Sequence, residues 1–183
     1  YQLSKLSDES IERILSENLG ITNQTLRKQI QIIAKGNARL AVMAGVCALQ
    51  GNLIQVHNAF DIFNDYYSAI IEGMEHKELF VASLVALFES FTLEQSELPL
   101  QLAIEHGISE GEFIEHCYSL HKKEVISLYE KRAVRFENQN LRDYLIYYMF
   151  FRAKMLAPSD VIISAFPCYR SQVVFAFNTL IQL

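Results

Sequence analysis

The stretch ISEGEFIEHCYSLHKKEVISLYEKRAVRFE, residues 108–137, decides the fold of this chain. Its first half places Phe113, Cys117 and Leu120 three or four residues apart, the spacing of one face of an α-helix. Ser109 precedes them and is a residue type that favours the start of a helix. This half therefore predicts a helix whose apolar side faces a core.

The second half of the stretch contains two short alternating runs, at 124–130 and 133–137, which are joined by a Lys-Arg pair and predict a β-hairpin. Two more helices are predicted just before the stretch, at 74–91 and 93–107. Three helices followed by a two-stranded wing form a winged helix-turn-helix. With a helix from about Asn140 to Arg152, this predicts a winged-helix domain.

Four helices are predicted upstream, in a compact unit at residues 1–73. The third of them carries Leu40, Met43, Cys47 and Leu49 toward the core, and the fourth is GNLIQVHNAFDIFNDYYSAIIEG. The opening YQLSKL is typical of the end of a strand. The expected architecture is thus mainly α: a four-helix bundle, a winged helix with a short β-hairpin, and C-terminal helices.

The domain boundaries that follow are 1–73, 74–152 and 153–183. The last range holds two helices, which could begin a sensor or repeat region, although one helix pair cannot establish a period. The chain opens on YQLSKLSDES and stops on FNTLIQL with no polar tail at either end. We therefore expect a segment of a longer protein.

The composition fits a helical intracellular protein. About half of the 183 residues are apolar, and only three prolines and seven glycines interrupt them. The formal charge of -5 argues against non-specific binding to nucleic acid or anionic membrane. Cys47, Cys117 and Cys168 form no CxxC pair, so a reducing cytoplasm is expected rather than a disulfide framework. No signal peptide and no membrane-spanning segment is predicted.

Catalytic motifs are missing from the sequence, which contains no GxxxxGK[ST], GxGxxG, GxSxG or HExxH. We therefore predict that the chain is not an enzyme by itself. Asp61 and Asp65 share a helical face, but without a further ligand at matching spacing a solvated face is favoured over a metal site. The aromatic run YLIYYMFF favours core packing over base stacking.

A possible metal site lies in EFIEHCYSLHKK, where Glu112 and His116, and Cys117 and His121, are each four residues apart. A structural zinc site needs four ligands, and no second ligand pair is visible elsewhere. We therefore place Cys117 in the core and both histidines near the surface.

The predicted winged helix raises the possibility of DNA binding, which its charges oppose. The third helix begins with Glu110, Glu112 and Glu115, at the end that would approach phosphates and base edges. A basic cluster towards the wing lies beside further glutamates and comprises Lys122, Lys123, Lys131, Arg132 and Arg135. DNA binding is thus an alternative that we do not favour.

Two short motifs resemble those of a known family. KGNARLAVMAG (35–45) and VRFENQNLRDYLIYYMF (134–150) resemble the region after the nucleotide-binding core of STAND-type P-loop NTPases, the group that includes NACHT proteins. That region contains a helical lid with Gly-Asn-Pro-Arg and a winged helix ending in Phe-x-His, followed by an acidic-aromatic pair. The resemblance covers roughly Tyr1 to Arg152.

By this resemblance, Gly36, Asn37 and Arg39 form the lid turn that faces the nucleotide, and Arg39 can reach its phosphates. The alternative is an exposed Arg39 with its stem on the surface. Ala38 replaces the family's proline, which removes any adenine contact made by that proline.

The second motif matches at Phe136, Leu141, Asp143 and Tyr144. Asn138 stands where the family often has a histidine that senses the diphosphate, and asparagine can donate a hydrogen bond but cannot become cationic. The resemblance thus implies a weaker or altered hold on ADP. The alternative is that Asn138 only caps the following helix.

The resemblance implies a nucleotide switch that couples ATP or ADP, with Mg²⁺, to domain rearrangement and signalling, in bacteria often in defence. The implied partners are an upstream P-loop domain and a downstream sensor domain of the same chain, with a possible homo-oligomer. A helical protein-interaction module is a further alternative, favoured if an apolar patch stays exposed near Tyr147 to Phe151 or along the last helices.

Overall fold

The computed structural model describes residues 5–51, 59–94, 97–130 and 132–182. The chain divides into two compact units, of which the first extends to Ala69 and the second runs from Ile70 to Gln182. The division falls inside a helix that continues almost to Gly73, the boundary expected from the sequence. The prediction of a mainly helical chain with a small amount of antiparallel sheet is confirmed.

The first unit consists of helices with polar caps. Ser7, Asn23 and Asn37 each accept a hydrogen bond from a backbone N–H in the first turn of the helix that follows, as expected of N-cap residues. The first helix ends in a π-helical turn, Ile14–Asn18. The helices are α1 Asp8–Arg13, α2 Gln24–Ala34, α3 Ala38–Leu49 and α4 Ala59–Glu72.

The core of the first unit confirms most of the predicted inward positions. Leu40, Met43 and Cys47 are buried. The placement of Leu49 was wrong, since its side chain is 60% exposed. Two residues beyond Cys47 correspond to about 200° around a helix, which turns Leu49 to the opposite face.

Parts of the predicted first unit lie outside the described residues. These are Tyr1 to Ser4 of the expected strand and residues 52–58 of the predicted fourth helix. Lys5 and Leu6 belong to no strand, although the Leu6 N–H donates a hydrogen bond of 2.9 Å to the Gly36 carbonyl.

The first half of the second unit combines helices with a three-stranded antiparallel sheet. Strand β3 lies between β1 and β2, and Val134 is paired with both Phe91 and Leu128. The elements are α5 His76–Phe88, β1 Ser90–Thr92, α6 Leu98–Glu105, α7 Glu110–Lys122, β2 Ser127–Tyr129 and β3 Ala133–Arg135. The predicted hairpin is therefore confirmed, and Phe113, Cys117 and Leu120 are buried as predicted.

The prediction of one helix over 74–91 was wrong at its end. Helix α5 stops at Phe88, where Glu89 takes a positive φ of 66°, and the next three residues form β1. Because β1 pairs with β3, some forty residues further along the chain, its formation depends on a contact that local periodicity does not report.

Helix α5 is the centre of the second unit, with every residue from Glu78 to Phe88 buried. Its buried carboxylate is satisfied, since Glu78 accepts hydrogen bonds from the Ser119 hydroxyl and the Lys123 ammonium, both at 2.7 Å. These contacts lower the pKa of Glu78 against the effect of burial. The polar groups of α5 thus tie it to the end of α7.

The C-terminal part of the second unit contains α8, Gln139–Tyr147, which ends in a π-helical turn, and α9, Pro158–Gln182. Helix α9 is kinked at Tyr169, two residues after Pro167, and the two predicted C-terminal helices correspond to its two segments. The Tyr169 ring packs edge-on against Phe88 and its hydroxyl donates a hydrogen bond to Glu97. None of the helices in the described ranges is long and apolar enough to span a bilayer.

Candidate functional site

The turn between α2 and α3 contains the first predicted motif. Lys35 and Gly36 both have positive φ, at 47° and 84°. A Cβ on Gly36 would lie 2.9 Å from both the Leu6 carbonyl oxygen and the Lys5 Cβ, so glycine is required here by conformation and by space. The Asn37 side chain accepts from the Leu40 N–H at 3.1 Å and caps α3. The fold alone explains these two motif residues.

Arg39 differs from these two residues, because it has no comparable structural role among the described residues. Its side chain is exposed in the first turn of α3. No acceptor contacts its guanidinium within the part of the chain that the structure describes. A cation at the N-terminal end of a helix opposes the helix dipole and contributes nothing to helix stability there.

Asn138 begins α8 in the same way that Asn37 begins α3. Its side-chain oxygen accepts from the Leu141 N–H at 3.3 Å. The capping alternative is therefore present in the structure, and only the amide nitrogen is left to donate to a ligand. Asn138 belongs to the second unit and Arg39 to the first, so the expectation that both face one nucleotide stays a prediction.

A cavity of about 420 Å³ lies beside the start of α8. Three of its lining residues, Phe136, Glu137 and Gln139, surround Asn138 in the sequence. The wall is completed by the residue that follows α5 and by residues of β3, α8 and α9, namely Glu89, Arg135, Arg142 and Phe175. The second predicted motif therefore borders a mainly polar cavity within the second unit.

Arg142 is the buried cation of this cavity, with 5% of its surface exposed. Its Nε donates to the Ala86 carbonyl at 2.7 Å, and its Nη1 lies 3.0 Å from Glu89 Oε2. The Phe175 ring covers the guanidinium, with 4.4 Å between the ring centroid and Cζ. The remaining nitrogen, Nη2, is buried and has no acceptor among the described residues.

Glu89, the carboxylate partner of Arg142, has a strained backbone conformation. Its φ of 66° and ψ of -55° correspond to a γ-turn geometry that is rare outside glycine and costs about 1–3 kcal/mol. The backbone is fixed on both sides, since its N–H donates to the Val85 carbonyl and its own carbonyl accepts from the Phe136 N–H at 2.8 Å. In this conformation the Glu89 carboxylate lies beside Arg142, at the junction of α5 and β3.

Asp143 adds a second unusual group next to Arg142 in α8. Burial raises the pKa of its carboxyl to about 6, against the opposing effect of the Arg142 charge. Its Oδ1 is buried and has no hydrogen-bond donor among the described residues. The raised pKa places the titration of this carboxyl near pH 6.

Asp143 was named from the sequence only as a match to the family motif, and Arg142, Glu89 and Phe175 were not identified. Arg142 interrupts a run of residues that are buried on either side of it, Asn140, Leu141, Tyr144 and Leu145. An arginine inside such a run was the available signal. Its partners come from distant parts of the chain, so spacing could not identify them.

The possible metal site around Cys117 lies in the second unit, where the structure describes its residues. Cys117 is buried, and burial raises the pKa of its thiol to about 12. No group of three metal-binding side chains occurs in the described ranges. The prediction of Cys117 in the core is thus confirmed.

The acidic start of α7 is structural. Glu112 forms a capping box with Ser109 and pairs with Lys77 at 2.7 Å, which lowers the pKa of Glu112 to about 2. Of the basic cluster, Lys123 is paired with Glu78 at 2.7 Å, and Lys131 lies outside the described residues. The negative charge at the start of α7 and the engagement of Lys123 both oppose DNA binding.

The chain matches no protein-family model, no curated protein and no solved structure. A function must therefore be argued from its own residues and from the two motifs.

Proposed function

We propose that this chain is a non-catalytic regulatory segment of a cytoplasmic STAND-type P-loop NTPase. Residues 1–73 act as its helical lid and 74–152 as its winged helix, and 153–183 begin a sensor or repeat region. The segment couples the ATP or ADP state of the parent protein to domain rearrangement and signalling, such as bacterial defence. The nucleotide and Mg²⁺ are held mainly by an upstream P-loop domain.

One observation carries the proposal. The second unit has the order helix, strand, helix, helix and two strands, and its next helix opens directly on the Phe136 to Tyr144 motif. A winged helix-turn-helix has this order, and the motif follows it at the position that the family resemblance requires. The agreement between the order of elements and the place of the motif supports the proposal.

The residues of the lid turn fit a nucleotide phosphate. Gly36 and Asn37 set the turn, and Arg39 presents an exposed cation with no acceptor among the described residues. Arginine binds phosphate oxygens through charge-assisted hydrogen bonds. Asn138 fits less well than histidine, because its oxygen caps α8 and its amide nitrogen is uncharged. We therefore assign the larger share of phosphate recognition to Arg39.

The experiment uses the intact gene product that contains this chain. The protein is purified, denatured and analysed for bound nucleotide by ion-pair chromatography, and ADP affinity is then measured by calorimetry. We expect bound ADP, and about tenfold weaker binding for Arg39→Ala, the scale of one hydrogen bond to a charged group. Arg13→Ala is the matched control, because Arg13 is an exposed arginine of α1 whose partner among the described residues is Glu17.

Two results would contradict the proposal. An intact protein that neither carries nor binds a nucleotide would remove the switch. Equal ADP affinity in the Arg39→Ala and Arg13→Ala variants would remove the role assigned to Arg39.

A second candidate function is a helical protein-interaction module. Helix α9 exposes several large apolar side chains, most fully Ile163 at 77% and Ile181 at 82%. Phe151, in the turn after α8, is half exposed. Exposed apolar groups concentrated on one element favour contact with another protein, including a second copy of the chain. Sedimentation velocity of the wild type and of an Ile163→Ser variant distinguishes self-association from a monomer.

A further inference from the structure

Arg142, which lines the cavity beside α8, has a buried charged donor that lacks an acceptor among the described residues. More than nine in ten buried polar groups in proteins have a hydrogen-bond partner, and an unpaired one is unfavourable, especially when it is charged. Nη2 of Arg142 is such a group among the described residues. Since Nε and Nη1 are already engaged, the missing acceptor must approach Nη2 itself.

The other charges that line the cavity do not fill this place. Glu89 is committed to Nη1. Glu137 accepts a hydrogen bond of 2.8 Å from the Tyr129 hydroxyl, and hydrogen bonds from Ser127 and Tyr129 lower its pKa. Arg135 lies exposed at the rim and brings a second positive charge. The groups still able to bind a ligand are therefore both cationic.

We propose that this cavity binds a small oxyanion, a carboxylate or a phosphate group, which accepts hydrogen bonds from Arg142 Nη2 and faces Arg135. The guanidinium is held at its other two nitrogens, so its orientation is fixed before a ligand arrives, which lowers the entropic cost of binding. A volume of about 420 Å³ accommodates a small molecule. The inference does not rest on the proposed nucleotide switch.

Phe175 is the side chain that we expect to control access to the donor. Its ring lies over the guanidinium at 4.4 Å from Cζ, and 36% of the residue's surface is exposed. In this proposal, rotation of the exposed ring would open Nη2 to the cavity without moving the backbone. Binding of the oxyanion therefore competes with the cation–π contact between Phe175 and Arg142.

Nuclear magnetic resonance of the 183-residue chain tests the proposal through the signal of the Arg142 Nε–H group, which donates a hydrogen bond to the Ala86 carbonyl. Inorganic phosphate, acetate and ADP are titrated separately, with sodium chloride adjusted to constant ionic strength. We expect a saturable shift of this signal with phosphate, acetate or both. Phosphate alone would identify a phosphate ligand and acetate alone a carboxylate, and either outcome supports the proposal.

Variants with matched controls locate the ligand. Removing the ring in Phe175→Ala tightens binding by about three- to tenfold, because the competing contact is lost. Arg135→Ala weakens binding by about two- to fivefold, the scale of an exposed ion pair. The controls are Phe151→Ala, an exposed phenylalanine away from the cavity, and Arg132→Ala, an exposed arginine that does not line it.

The proposal is overturned if phosphate and acetate both give only linear, non-saturating shifts. It is also overturned if Phe175→Ala and Arg135→Ala bind as Phe151→Ala and Arg132→Ala do, or if ADP alone binds, since recognition would then depend on the nucleoside. Arg135 is exposed, so its variant is informative even if Phe175→Ala fails to fold. The nucleotide switch is tested separately at Arg39 in the other unit, so either idea can fail alone.

Discussion

Replacing Asp143 by asparagine should stabilise the protein at neutral and alkaline pH. The carboxyl has a pKa of about 6 in the folded chain against an ordinary value of 3.8. The folded state therefore holds the proton more tightly than the unfolded state. Stability is greatest below the unfolded pKa and falls as the pH rises through the folded pKa, so the affected window runs from about pH 4 to pH 7.

The magnitude follows from the same two values. One pKa unit corresponds to about 1.4 kcal/mol, so ionising this buried carboxyl lowers the free energy of unfolding by about 3 kcal/mol at pH 8. Asparagine has nearly the same shape and cannot ionise. We therefore expect Asp143→Asn to match the wild type near pH 4, to gain stability between pH 4 and pH 7, and to keep a gain of up to about 3 kcal/mol above that.

The assay is urea unfolding followed by far-ultraviolet circular dichroism at several pH values, because the chain contains no tryptophan. Only the difference between variant and wild type is interpreted, which removes the titration of the other groups. Glu105→Gln, an exposed carboxylate in the second unit, serves as the control and should show no such rise. A stability gain that is the same at pH 4 and pH 8, or a loss at pH 8, would refute the reasoning.

Three further predictions concern single contacts, each measured by the same urea unfolding. Gly36→Ala should lower the free energy of unfolding by about 2–4 kcal/mol, because it combines a positive φ with a clash. The control Gly20→Ala has a positive φ but open space and should cost only about 1 kcal/mol. Equal losses in the two variants would contradict the role of the clash. Asn138→Ala should cost about 1 kcal/mol and Asn138→Asp should cost little, since only alanine removes the cap. Tyr169→Phe should cost about 1–3 kcal/mol through the lost hydrogen bond to Glu97, and an unchanged midpoint would show that this bond contributes nothing.

The elements that were predicted correctly are those set by local pattern. Helix α7 begins at a serine cap and buries three apolar residues at helical spacing, and the hairpin after it consists of two short alternating runs. Capping and periodicity depend on residues within a few positions, so the sequence contains them directly. The overall order of helices and hairpin followed from these signals.

The errors have identifiable physical causes. Phe91 lies three residues after Phe88, which suits a helix, yet β1 forms because β3 offers it a hydrogen-bonding edge. Leu49 was grouped with the inward apolar residues of its helix, although its spacing from Cys47 turns it to the exposed face. Both cases show that apolar character alone does not establish direction, which depends on spacing and on contacts distant in sequence.

The residues of the candidate site show the same difference between local and distant contacts. Gly36, Asn37 and Asn138 were named through the family resemblance, and the structure gives each of them a local role in a turn or as a helix cap. Arg142 was not found, because its partners, Ala86, Glu89 and Phe175, come from other parts of the chain.

The two arginines present opposite energetic situations. Arg39 is solvated, so its lack of an acceptor among the described residues is inexpensive, and any role it has must come from a partner that approaches from outside. Arg142 has lost its hydration and keeps one donor without an acceptor, so the folded chain itself is stabilised by whatever supplies one. A ligand at Arg142 would therefore raise the free energy of unfolding of the second unit in proportion to the logarithm of its concentration above its dissociation constant. A ligand at Arg39 would have no such buried donor to satisfy, so under the two proposals the arginines would bind two separate anions with different effects on stability.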